Sequence, residues 1–187
     1  RWLEDQFDKG KKVVILGTLG AELDAEQRVT DLAAINRIYA RLGLRYDGTF
    51  ESNPLLVSTR FKVPEMVEFE RTLDDESHLF VGIFSQRADN EIFLRVARRS
   101  RTATPDPVAD LVVVAPTGGL ATYGYVLFRI PNSPHKAWRL NPFLFFEKAL
   151  RLGDIPRPDV TTLNGRRVFF THIDGDGFAD RTDSGEL

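Results

Sequence analysis

Val13-Val14-Ile15-Leu16-Gly17, preceded by Lys11-Lys12, is the stretch whose reading decides the fold. Consecutive apolar residues, mostly β-branched and bounded by charge on one side and glycine on the other, read as a buried strand. Working outward, Asp24 with Gln27 three residues on forms a capping-box start for a helix. Val29, Leu32, Ile35, Ile38, Tyr39 and Leu42 then share one helical face, and Gly43 closes the helix. Leu44 to Phe50 alternates loosely as a second strand. Strand, helix, strand is a βαβ opening, and it predicts an α/β sheet.

Further along, Pro64 opens a short helix with Met66, Phe69 and Leu73 on its face. Leu79 to Phe84 and Leu111 to Ala115 are continuous apolar runs, as in strands buried on both faces. Glu91 to Ala97 fits strand or helix, and Tyr123 to Ile130 is strand-like. Asn141 as cap, Pro142 at the first helical position and Gly153 past the end frame a helix through Leu144 to Leu150. Residues 155–165 hold two prolines and a glycine without helical period and read as a connector. Beyond it a strand, Arg167 to Ile173, delivers the acidic turn Asp174-Gly175-Asp176-Gly177. The expected organisation is an α/β domain over residues 1–153, a connector over 154–166, and the start of a second domain over 167–187.

The 187 residues suffice for one domain of ordinary size or for one domain plus a fragment. An apolar share of 42%, with fourteen Phe, supports a sizeable core. A net charge of −2 with 28% charged residues gives no global field to recruit nucleic acid or anionic membrane. The basic run Arg95 to Arg101 reads as a solvated edge or loop. Without cysteine there is no disulfide, thiolate metal site or thiol nucleophile in these residues. No apolar run approaches the ~20 residues of a membrane span, and Arg1 to Asp5 is too charged for the apolar core of a signal peptide.

Gly17-Thr18-Leu19-Gly20 follows the first strand. It has only the outer spacing of a phosphate-cradling glycine motif, so a plain β-to-α turn is the better reading. Pro116-Thr117-Gly118-Gly119 is either a tight turn or the lining of a cleft at the strand ends. His78 and His135 read as surface residues, and no two histidines stand at helical metal-binding spacing. The acidic turn has three readings. Asp174 and Asp176 lie on the same side of an extended chain, where one carboxylate can bind a divalent cation and the other can accept a proton from cation-bound water. Counted from His172, the loop 172–183 instead places Asp174, Asp176 and Asp180 at calcium-ligand positions, with Gly177 at the turn position but His172 in the first. The plain alternative is a solvated acidic turn.

Trp138-Arg139-Leu140-Asn141-Pro142-Phe143, and then Pro158 to Phe178 with its His172-Ile173-Asp174-Gly175-Asp176-Gly177 segment, resembles PelA-type proteins, the exopolysaccharide-processing proteins of bacterial Pel biofilm systems. The resemblance covers roughly the last fifty residues. It implies a periplasmic, metal-dependent polysaccharide N-deacetylase of the NodB-like class, with Asp174 as catalytic base and Asp176 as metal ligand, zinc being the expected metal. It also implies that residues 1–153 form a Rossmann-like domain, flavodoxin-like or amidotransferase-like, ahead of a NodB-like barrel begun by Arg167 to Ile173. The family completes its metal site with a downstream His-x-x-x-His motif that these 187 residues lack. The expectation is therefore a piece of a longer enzyme, inactive alone, whose partners are a polysaccharide and a protein of the secretion machinery. The competing expectation is a glycan- or partner-binding α/β domain followed by a calcium-binding or merely solvated turn.

Overall fold

Val108-Ala109-Asp110-Leu111-Val112-Val113-Val114-Ala115 is a long inner strand, buried at every position after Val108, and the rest of the fold is built on its two faces. The computed structural model describes residues 2–19, 31–73, 79–100, 105–130 and 133–154. The chain divides into two units, Arg1–Asp154 and Ile155–Leu187, and every described residue belongs to the first. In chain order that unit contains α1 (Trp2–Asp8), β1 (Val13–Gly17), α2 (Leu32–Arg41), β2 (Leu44–Glu51), β3 (Val57–Lys62), α3 (Pro64–Val67) and β4 (Phe80–Ser85). It continues with β5 (Glu91–Arg98), β6 (Val108–Ala115), β7 (Gly118–Thr122), β8 (Leu127–Arg129), β9 (Lys136–Trp138) and α4 (Pro142–Leu150).

The main sheet has five strands in the order β1-β7-β6-β5-β3. β1 pairs with β7 in parallel, and the remaining pairs are antiparallel. Side-chain alternation divides the core accordingly. Ile15 and Leu120 pack with Ile35, Ile38 and Tyr39 of α2 and Phe7 of α1. On the opposite face Ala121 and Val112 pack with Phe145 and Ala149 of α4. Helices thus cover both faces of a mixed sheet, an α/β arrangement of three layers. Gly119 makes the α4 layer possible. A Cβ there would stand 2.9 Å from Phe145 and 3.0 Å from the Ala149 methyl. Burying the Phe145 ring completely contributes about 2–3 kcal/mol.

The expected βαβ unit does not form. β2 leaves the main sheet and pairs antiparallel with β4. Its sequence, Leu44-Arg45-Tyr46-Asp47-Gly48-Thr49-Phe50-Glu51, keeps most positions at least partly in water, which suits a surface ribbon and not a parallel strand covered on both sides. The place beside β1 is taken by β7, whose Gly118 lets the two backbones approach. A Cβ at Gly118, where φ is +148°, would fall 1.8 Å from the Val13 carbonyl oxygen. Gly118-Gly119 therefore begins a strand. The cleft-lining alternative for Pro116 to Gly119 is corrected on this point: Pro116-Thr117 is the hairpin turn between β6 and β7, at the Val13 end of the parallel pair.

α2 begins at Leu32, with Asp31 as cap accepting a hydrogen bond from the Ala33 amide; the Asp24/Gln27 start lies outside the described residues. Leu42 ends this helix and Gly43, at φ +65°, carries the chain into β2. α4 has the expected Asn141 cap, which accepts from the Leu144 amide, and Pro142 in its first turn. Its left-handed closing residue is Arg151, φ +56°, in place of Gly153. The helix opened by Pro64 stops at Val67, with Met66 buried on it. Glu91 to Ala97 is strand, and of Tyr123 to Ile130 only β8 is strand. The basic run lies partly on β5, inside the sheet. Arg95 Nε donates to Asp110 Oδ1 at 2.9 Å, and the Ser85 amide donates to Asp110 Oδ2 at 2.8 Å. That buried carboxylate joins β4, β5 and β6 at one point.

Candidate functional site

Because β1 and β7 run in parallel, their last residues, Gly17 and Thr122, stand side by side at one end of the sheet. The carboxyl ends of strands are where open α/β sheets receive ligands, since the loops leaving them diverge. Gly17 has φ +90° and open space where a side chain would be. After Thr122 the chain turns through Tyr123-Gly124-Tyr125, with Gly124 at φ +84° and the Tyr125 amide donating to the Thr122 carbonyl at 3.1 Å.

Tyr125 anchors this turn. Its hydroxyl donates to the Leu79 carbonyl at 2.7 Å and accepts from the Leu79 amide at 3.1 Å. Burial pushes the phenol well above the usual tyrosine range, so it stays a neutral donor. The β8–β9 hairpin is fixed from both sides. The Arg139 amide donates to the Val126 carbonyl at 3.0 Å, and the Glu70 and Phe69 amides donate to the Trp138 and Arg139 carbonyls, each at 3.0 Å.

Between the β1 end and this hairpin lies a groove of about 830 Å³, within the size range of small-molecule and sugar sites. Leu16, Tyr123, Phe128 and Trp138 give it apolar and aromatic walls. Arg129, Lys136 and Arg139 line it, and no carboxylate does among the described residues. Tyr123 stands at the lip, 61% exposed. Arg139 is buried, its Nη1 donating to the Gly124 carbonyl at 3.3 Å and its guanidinium 4.9 Å from the Phe128 ring centre. Arg71 stacks on the same ring at 4.4 Å. Two guanidinium–π contacts hold Phe128 in place.

A second hollow, of about 130 Å³, opens beside the groove and shares Gly17 and Tyr123 with it. It belongs to the α2 side of the sheet, with Tyr39, Tyr46, Phe50, Val81 and Ile83 around it. Thr122 has the same alternation as Leu120 and so faces that side. Thr122 is 1% exposed, and its hydroxyl has no hydrogen-bond partner among the described residues.

Of the sequence-derived candidates, Gly17 and Thr18 lie at the site, while Gly20 lies outside the described residues. Pro116 to Gly119 lies at the other end of β7. His135 is exposed, and His78 is outside the described residues. Asp174, Asp176 and the whole of the 172–183 loop are outside them too. Among the described residues no group of three or more His, Asp or Glu could hold a metal ion, and no helix is long and apolar enough to cross a membrane. Sequence reasoning does not single out Thr122, Tyr123 or Phe128. The available signal was the Tyr123-Gly124-Tyr125 turn, where an aromatic-glycine alternation interrupts the strand pattern. No protein-family model, curated protein or solved structure matches this chain.

Proposed function

We propose that this chain is part of a periplasmic, metal-dependent polysaccharide N-deacetylase, and that residues 1–154 are its glycan-binding domain. The observation that carries the proposal is the groove beside Gly17. Trp138 and Arg139, which open the stretch similar to PelA-type proteins, line it together with Tyr123 and Phe128. Aromatic walls suit the apolar faces of sugar rings, and a few fixed polar groups orient the hydroxyls. The cationic lining set by Arg129, Lys136 and Arg139 favours a neutral or anionic glycan and disfavours an amino sugar carrying positive charge.

The Rossmann-like part of the expectation enters here as the three-layer arrangement and the groove's position at the carboxyl end of β1. The NodB-like part rests on the sequence of residues 167–178. In that reading Asp176 holds a divalent cation, zinc by the resemblance, and Asp174 takes the proton of the attacking water. The cation would polarise the N-acetyl carbonyl and acidify water. A secretion-machinery protein is the further partner the resemblance implies.

The test is a titration of the chain with N-acetylhexosamine oligomers, followed by indole fluorescence and backbone resonances. Binding should move Gly17, Tyr123, Phe128 and Trp138, and Trp138→Ala should weaken it about ten-fold. Flat titrations with intact folding would remove the glycan reading.

A further inference from the structure

The small hollow next to the groove has a composition of its own. Its walls are Val81, Ile83, Phe50 and the two tyrosines of α2 and β2, and the Thr122 hydroxyl is its one buried polar group without a hydrogen-bond partner among the described residues. A buried hydroxyl without a partner costs free energy that a ligand can return by hydrogen bonding to it. At about 130 Å³ it has room for about four waters at ~30 Å³ each, the space of an acetamido group. Such a group needs this combination, since its methyl is apolar while its carbonyl accepts and its N–H donates a hydrogen bond. A threonine hydroxyl can serve either end of the amide. The hollow joins the groove through Gly17, which presents no side chain at the boundary, and Tyr123.

Resting on the glycan reading above, we propose that this hollow is an acetamido-recognising subsite. A sugar ring lies in the groove, and its N-acetyl group enters between Gly17 and Tyr123 to meet the Thr122 hydroxyl. The domain then binds the acetylated polymer and releases the deacetylated one, because the free amine neither fills the hollow nor tolerates the cations of the groove. This gives the domain a direction: it holds chains that are still substrate.

The experiment compares N-acetylglucosamine and N-acetylgalactosamine oligomers with their de-N-acetylated counterparts on the 187-residue chain. Wild type should prefer an acetylated oligomer. Thr122→Val, which keeps shape and removes the hydroxyl, should reduce that preference about five-fold, and Thr122→Ser should retain it. In wild type, saturation transferred from protein methyl groups should be strongest at the acetyl methyl. Acetylated oligomers that bind with equal preference in wild type and Thr122→Val, or whose acetyl methyl receives no transfer, overturn the subsite and leave the glycan reading standing. No binding of any oligomer overturns both.

Discussion

Glu68 illustrates how single side chains set the frame around the groove. Its Oε1 accepts from Lys62 Nζ at 2.6 Å and from the Leu73 amide at 2.8 Å. The hydrogen bond from Lys62 holds its carboxyl below the usual glutamate range against the opposing effect of burial, and the Leu73 amide adds to it. A depressed carboxyl contributes stability above its unfolded pKa of about 4.3 and loses it as pH falls through the lower folded value. Glu68→Gln should therefore cost about 1 kcal/mol in urea unfolding at pH 7, and the difference from wild type should shrink at about pH 3. An equal difference at both pH values would mean that the amide disturbs packing and not charge. Residue-scale signals were legible where the side chain caps or breaks an element, as at Asn141, Pro142 and Gly43. They were not legible at Thr122, because a threonine in a strand looks the same whether or not its hydroxyl finds a partner.

At the scale of elements, the close pairing of β1 with β7 is the joint on which the site depends. Gly118→Ala places a methyl against the Val13 carbonyl in a backbone conformation that disfavours side chains. It should cost about 3 kcal/mol or more, read as a lowered unfolding midpoint, and it should also weaken oligomer binding by disturbing Gly17 at the far end of the pair. A variant as stable as wild type would show that the strands can separate without consequence. The apolar runs behind β1, β4 and β6 were legible because burial on both faces demands them. β7, Gly-Gly-Leu-Ala-Thr, was not. Its propensity is that of a turn, and only the proximity of Val13 and α4 makes it a strand. β3 and β9 were hidden for a related reason. Val57-Ser58-Thr59-Arg60-Phe61-Lys62 is mostly polar and lies at the sheet edge, and β9 is three residues long. The groove inherits this opacity, since its walls come from the short β8–β9 hairpin and the turn before it.

At the scale of the whole molecule, the proposed division of labour places recognition in residues 1–154 and chemistry around Asp174 and Asp176. Catalytic zinc ordinarily needs three protein ligands, so the carboxylate pair alone should give no heat with Zn²⁺ in calorimetry on this chain, and a turn that serves the deacetylase should give none with Ca²⁺ either. Heat with Ca²⁺ that Asp176→Asn and Asp180→Asn both abolish would assign the turn to calcium instead. In the longer enzyme that the proposed function calls for, Asp174→Asn should stop acetate release from an acetylated amino-sugar polymer. Release that persists would exclude Asp174 as the base.

The parallel joint between β1 and β7 has one more consequence. β1 is synthesised roughly a hundred residues before the strand that completes it. At about 5–20 residues per second on the ribosome, an apolar ribbon with unsatisfied amides waits for several seconds before its neighbour arrives. The nascent polypeptide is thus most vulnerable to misassociation during that interval, and a chaperone that shelters Val13 to Leu16 would act before the groove exists.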